Sequence, residues 1–116
     1  MESITKYKSV PVPVDQENII PSLIQQIKKD FALQGYPIDD FGVEPVQFFN
    51  LLYSKTQEFI ESDFPALLNI LYRIDISERK VSSRLSVSES DTAKVLIELI
   101  VEREIQKINL RNQFNH

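Results

Sequence analysis

The side chains in this 116-residue chain that could move protons or hold a metal are few and poorly placed to do so. Its single histidine, His116, is the last residue in the sequence and is expected to be frayed, without a second shell to hold the ring as a general base. There is no cysteine, which removes thiolate nucleophiles, thiolate metal ligands and disulfides together. A catalytic reading would therefore rest on carboxylates, Lys or Tyr. Asp39 and Asp40 are adjacent in a connector and read as capping and solvation. Glu58, Glu61 and Asp63 close the second predicted helix, with no further acid at a spacing that builds a cation cage. Glu98 and Glu102 lie one turn apart on the last helix, which is half of a carboxylate-bridged metal arrangement. Such bundles also need Glu-x-x-His pairs on other helices, and the sequence contains none. No Gly-rich phosphate loop, nucleophile elbow or zinc-ligand spacing occurs. The expectation is a non-enzymatic protein without catalytic, metal-binding or cofactor-binding residues.

The elements that position these groups follow from composition and apolar spacing. With 42% hydrophobic and 26% charged residues, the chain suits one compact domain with its own core. Only 2 glycines against 6 prolines disfavour tight hairpins and leave helix starts well supplied, so the expected fold class is all-α. A net charge of −4 gives no overall attraction to nucleic acid or anionic lipid. The segment MESITKYK has no apolar stretch, and VLIELIV (Val95–Val101) is too short to span a bilayer and carries Glu98, so a cytoplasmic protein without membrane association is expected.

Residues 1–16 read as an extended arm, because Pro11 and Pro13 in VPVPVD exclude helix and favour a polyproline II path. Residues 17–116 read as a single helical domain of four main helices and a short one. The first helix carries Ile20, Leu23, Ile24, Ile27 and Phe31 on one stripe, with Asn18 as its cap and Gly35 as its stop. The second opens near Pro45 and buries Val46, Phe49, Leu52, Tyr53, Phe59 and Ile60; Ser62 or Asp63 caps the third, which buries Leu67, Leu68, Leu71 and Ile74. Tyr72, Ile74 and Ile76 alternate with polar residues in the manner of a strand, but a helix end followed by a new start fits better. In that reading Asp75 and Glu78 form a capping-box pair, and Ile76, Val81 and Leu85 edge the short helix.

The segment IDISERKVSSRLS resembles the second half of a helix-turn-helix DNA-binding motif over Ala66 to Leu85. The resemblance implies that Ile70, Ile74, Ile76 and Val81 are buried and that Ser77, Arg79, Lys80, Ser83 and Arg84 face the groove and backbone of a duplex. Leu71 stands where the motif has a small residue, and Asp75 where its turn usually has glycine. Acids nearly balance the bases from Arg73 to Lys94. DNA binding through Arg79, Lys80, Ser83 and Arg84 is thus the alternative function.

The leading one rests on the last helix, expected from about Asp91 to Gln113 behind caps at Ser88, Ser90 or Asp91. Val95 to Val101 cover nearly its whole circumference, Ile97, Val101, Ile105 and Ile108 continue one seam, and Leu110 and Phe114 lie on another side. Either the other helices wrap this one, or a partner or second copy covers it. The expected function is a helical protein–protein interaction module, self-associating as a homodimer or binding a protein partner, with Ile105, Ile108, Leu110 and Phe114 as anchors. On that expectation Ile108→Asp shifts a dimer toward monomer without melting the helices.

Overall fold

The computed structural model describes residues 18–39, 44–88 and 91–114. The arm over residues 1–16, together with Asp40, Ser90 and His116, lies outside the described residues. Five helices follow in order: α1 (Ile20–Leu33), α2 (Pro45–Ser62), α3 (Phe64–Ile74), α4 (Glu78–Val87) and α5 (Thr92–Phe114). The fold is a small all-α bundle, with no strand among the described residues; Tyr72 to Ile74 complete α3 rather than joining a sheet. No helix among the described residues is long and apolar enough to cross a membrane.

Proline and short polar side chains set the helix starts. α1, α2 and α3 each place a proline in the first two positions, where the missing N–H costs nothing. Asp63 Oδ1 accepts from the Ala66 N–H at 3.2 Å, and Asp91 Oδ1 accepts from the Lys94 N–H at 2.8 Å. Two expected caps are corrected. Asn18 does not cap α1, whose cap position is Ile19 without a side-chain hydrogen bond. Asp75 does not cap α4; Ser77 does, its Oγ accepting from the Lys80 N–H at 3.1 Å.

Asp75 instead ends α3. It takes the left-handed conformation, φ 75° and ψ 42°, while its N–H donates to the Tyr72 carbonyl and that of Ile76 to the Leu71 carbonyl, both at 2.9 Å. The same pair of bonds closes α1, where Gly35 (φ 88°) donates to Ala32 and Tyr36 to Phe31. Asp75 therefore occupies a glycine-type position that short polar residues tolerate and β-branched ones do not. Asp75→Val is expected to lower stability by about 1–2 kcal/mol, with Asp75→Gly tolerated; urea midpoints of the two variants check this.

α5 is the centre of the molecule, and all four other helices pack on it. Ala93, Val95, Leu96, Ile97, Leu99, Ile100 and Val101 are buried on every side of its first half. Leu23, Ile27 and Phe31 of α1, Phe48 and Leu52 of α2, and Ile70 and Ile74 of α3 complete one continuous core around it. Of the two ways to cover an all-round apolar helix, wrapping by the chain itself accounts for α5 as far as Ile108. Ile105 and Ile108 are therefore corrected as exposed anchors: both are core residues, Ile108 only 2% exposed.

Candidate functional site

Beyond Ile108 the last helix outruns its cover. Every residue from Asn109 to Phe114 is exposed, including two large apolar side chains, Leu110 at 48% and Phe114 at 83%. Four residues apart, these two share a helix face, and Arg103 and Gln106 continue that stripe back toward the core. Arg103 anchors the inner end of the stripe by donating to the Ile74 carbonyl at 3.2 Å and to Asp75 Oδ2 at 3.1 Å. Arg111 donates to Gln26 Oε1 on α1 at 3.3 Å, which ties the projecting turns to the body. Of the four side chains read as an interface, the structure thus brings Leu110 and Phe114 together in water and withdraws Ile105 and Ile108 into the core.

In the segment Ala66 to Leu85, Ile70, Ile74, Ile76 and Val81 are buried and Arg79, Lys80 and Ser83 are exposed. Arg84 is drawn away from that surface onto α5, where its two terminal nitrogens donate to the two oxygens of Glu102, each at 3.1 Å. Such a two-pronged pair fixes the guanidinium in plane and direction. Ser77 is likewise engaged as the cap of α4.

Sequence reasoning missed a buried charge cluster between α1 and α5. Asp30 is 3% exposed and Glu104 fully buried, and Lys107 bridges them, with Nζ 3.3 Å from Asp30 Oδ2 and 3.2 Å from Glu104 Oε1. Gln26 donates to the same Asp30 oxygen at 3.5 Å. Neither Glu104 oxygen accepts a hydrogen bond. Burial, followed by the hydrogen bond and charge of Asp30, pushes the Glu104 carboxyl up to about 8, so near neutrality it keeps its proton and donates it to Asp30. For Asp30 burial acts upward too, but the Glu104 hydrogen bond and the Lys107 ammonium together outweigh it and hold the carboxyl below its ordinary range. The two carboxyl groups form a coupled pair rather than two independent sites, with the Lys107 ammonium between them. A detectable signal did exist: Glu104 lies on the Ile97, Val101, Ile108 seam, and Asp30 lies between Ile27 and Phe31.

Concave surfaces are also present, among them a shallow one where Arg111 of α5 meets Pro21, Gln25 and Lys29 of α1. A cleft of about 380 Å³ opens between the C-terminal ends of α1 and α2. Phe31, Tyr36, Ile38 and Phe59 form its apolar floor, with Lys55 and Glu58 on its rim. Tyr36 and Phe59 meet edge to face with centroids 5.0 Å apart. Among the described residues, no group of three or more acidic or histidine side chains converges in a way that could hold a metal ion. No family model, curated protein or solved structure matches this chain.

Proposed function

We propose that the chain is a non-enzymatic helical interaction module that pairs with a second copy of itself through the distal turns of α5. The observation that carries this reading is the exposed pair Leu110 and Phe114 on one face of a helix that continues beyond its own core. An apolar pair of this size held in water is the kind of anchor that interfaces place at their centre. Charge supports a second copy as the partner. Residues 109–114 carry one charged side chain, Arg111, and it is turned toward Gln26. A twofold axis across this face therefore sets apolar and neutral amide groups opposite each other, without like charges in opposition. The cytoplasm is the compartment of this reading.

Sedimentation equilibrium over a wide concentration range tests it. The wild type is expected to dimerise, and Phe114→Asp to weaken the dimer roughly 30-fold or more, the equivalent of about 2 kcal/mol for a central anchor. Because Phe114 touches little of its own chain, the variant's thermal midpoint should stay near that of wild type. A wild type that remains monomeric throughout removes self-association. Duplex binding through Arg79, Lys80 and Ser83 has the burial of Ile70, Ile74, Ile76 and Val81 in its favour and the commitment of Arg84 to Glu102 against it. Steeply salt-dependent duplex binding lost in Arg79→Ala would promote that reading.

A further inference from the structure

The cleft at the C-terminal ends of α1 and α2 joins an aromatic floor to a negative rim. Tyr36, 38% exposed, stands at 86° to Phe59, and Phe31 meets Phe59 at 6.5 Å with a tilt of 51°. Rings at such angles form a corner, and each ring face is the negative part of its quadrupole. The rim has the same sign on two counts. Glu58 and Asp63 line the cleft against one cation, Lys55. α1 and α2 both end there, and neither has a basic residue in its last turn to answer the negative end of its dipole. The N-terminus of α3, capped by Asp63, is the one opposing helix end. At about half a charge per helix end the balance stays negative by more than one charge. Outside the lining, Lys28 and Lys29 sit a turn farther back on α1 and are matched in number by Asp39, next to Ile38, and Glu61, next to Ser62.

We propose that this cleft binds a small organic cation of the quaternary ammonium class, its alkyl groups against the Tyr36 and Phe59 rings and its charge balanced by Glu58. Aromatic faces attract a cation electrostatically, and the attraction is strongest for one that gives up little hydration. A bare ammonium would exchange hydrogen-bonded water for a floor in which Phe31, Phe59 and Ile38 offer no side-chain acceptor. Alkyl groups on the nitrogen remove that cost and fill the apolar corner instead. An anion of the same shape would meet the rim's own sign. The volume, about 380 Å³, falls at the small end of the range for small-molecule sites. Lys55 opposes such a ligand, which gives the proposal a signature: neutralising Lys55 tightens binding, and neutralising Glu58 loosens it. This inference goes beyond the α5 contact and shares no residue with it.

Choline is the probe, and neohexyl alcohol, its neutral carbon isostere, the control. Titrated into the full-length protein and followed by amide shifts in NMR, choline is expected to move Gly35, Tyr36 and Phe59 saturably. The alcohol should bind about fivefold more weakly, the worth of a cation over an exposed ring. Tyr36→Leu keeps an apolar side chain without the ring and should weaken choline by about the same factor. Glu58→Gln should weaken choline by about twofold to threefold and Lys55→Gln strengthen it as much, with both effects shrinking in high salt. Glu58 is exposed and Lys55 half-buried, so these two variants decide the matter even if Tyr36→Leu does not fold. The absence of saturable shifts overturns the proposal. Equal affinity for the alcohol also overturns it, as does choline binding that Tyr36→Leu leaves unchanged in a folded protein. Choline binding that Lys55→Gln weakens, or benzoate binding in its place, overturns it by assigning the cleft to an anion.

Discussion

Ile108→Asp is expected to unfold the protein under conditions where the wild type is folded, not to dissociate a dimer of folded chains. Ile108 is 2% exposed and closes the buried seam that runs down α5 from Ile97. Removing its side chain from the core forfeits about 1.5–3 kcal/mol of apolar burial. The new carboxylate must then be desolvated, protonated or dragged out with the last turns of the helix, each at further cost. Together these exceed about 4 kcal/mol, a large share of the 5–15 kcal/mol that holds a typical domain. Ile108→Val, which removes one methylene, should cost only about 1 kcal/mol and keep the fold. Circular dichroism melts of the two variants separate the cases. If Ile108→Asp melts as the wild type does, Ile108 is not a core residue. The contrast with Phe114→Asp is the informative part: six residues apart on one helix, one position decides folding and the other is free to decide association.

That contrast also marks how far the sequence could be read. The all-helical fold was legible because apolar residues recur at helical spacing in every segment, and prolines stand at helix starts. On α5 the spacing even separates the Ile97, Val101, Ile105, Ile108 seam from the Leu110 and Phe114 side. What spacing leaves open is which side the chain covers itself. That depends on where α1 lies, and only the pairing of Asp30 with Lys107 and of Gln26 with Arg111 places α1 antiparallel beside α5. Asp75 and Ser77 illustrate a subtler ambiguity. Aspartate suits both a cap and a left-handed turn, so local chemistry permits either, and the two carbonyl contacts that close α3 decide it. Arg84 was legible as a basic side chain on a short helix but not as the partner of Glu102, because that pairing joins different helices. Asp30 and Glu104 were legible in part, since each falls on an apolar seam of its own helix, but their pairing joins different helices and their burial makes sense only once Lys107 stands between them.

Stability is therefore expected to fall as pH rises from about 5 to about 8, and Glu104 is the cause. Its ordinary value is 4.5 and its value in the folded protein about 8, so across that window the native state holds a proton that the unfolded chain has released. Stability then declines with pH by at most about 1.4 kcal/mol per unit, and this contribution, fully present below 4.5, is lost as pH passes about 8. Asp30 works in the other direction. Held below its ordinary value of 3.8, it adds stability above that pH and loses it as pH falls through its folded value. The two effects together put the cluster's largest contribution near pH 4, on the acid side of neutrality. Urea midpoints measured at intervals from pH 5 to 9 test this, in a His116→Gln background that removes the imidazole from the same window. Glu104→Gln keeps a neutral donor for Asp30 at every pH, so its midpoint should stay level where that of the parent falls, and the two curves should converge toward pH 5. Lys107→Met separates charge from proton. It leaves the Asp30 carboxylate buried without its cation and should cost about 3 kcal/mol at neutral pH. A parent curve as flat as that of Glu104→Gln would mean that Glu104 is ionised in the folded protein, and that Lys107 alone balances two buried carboxylates.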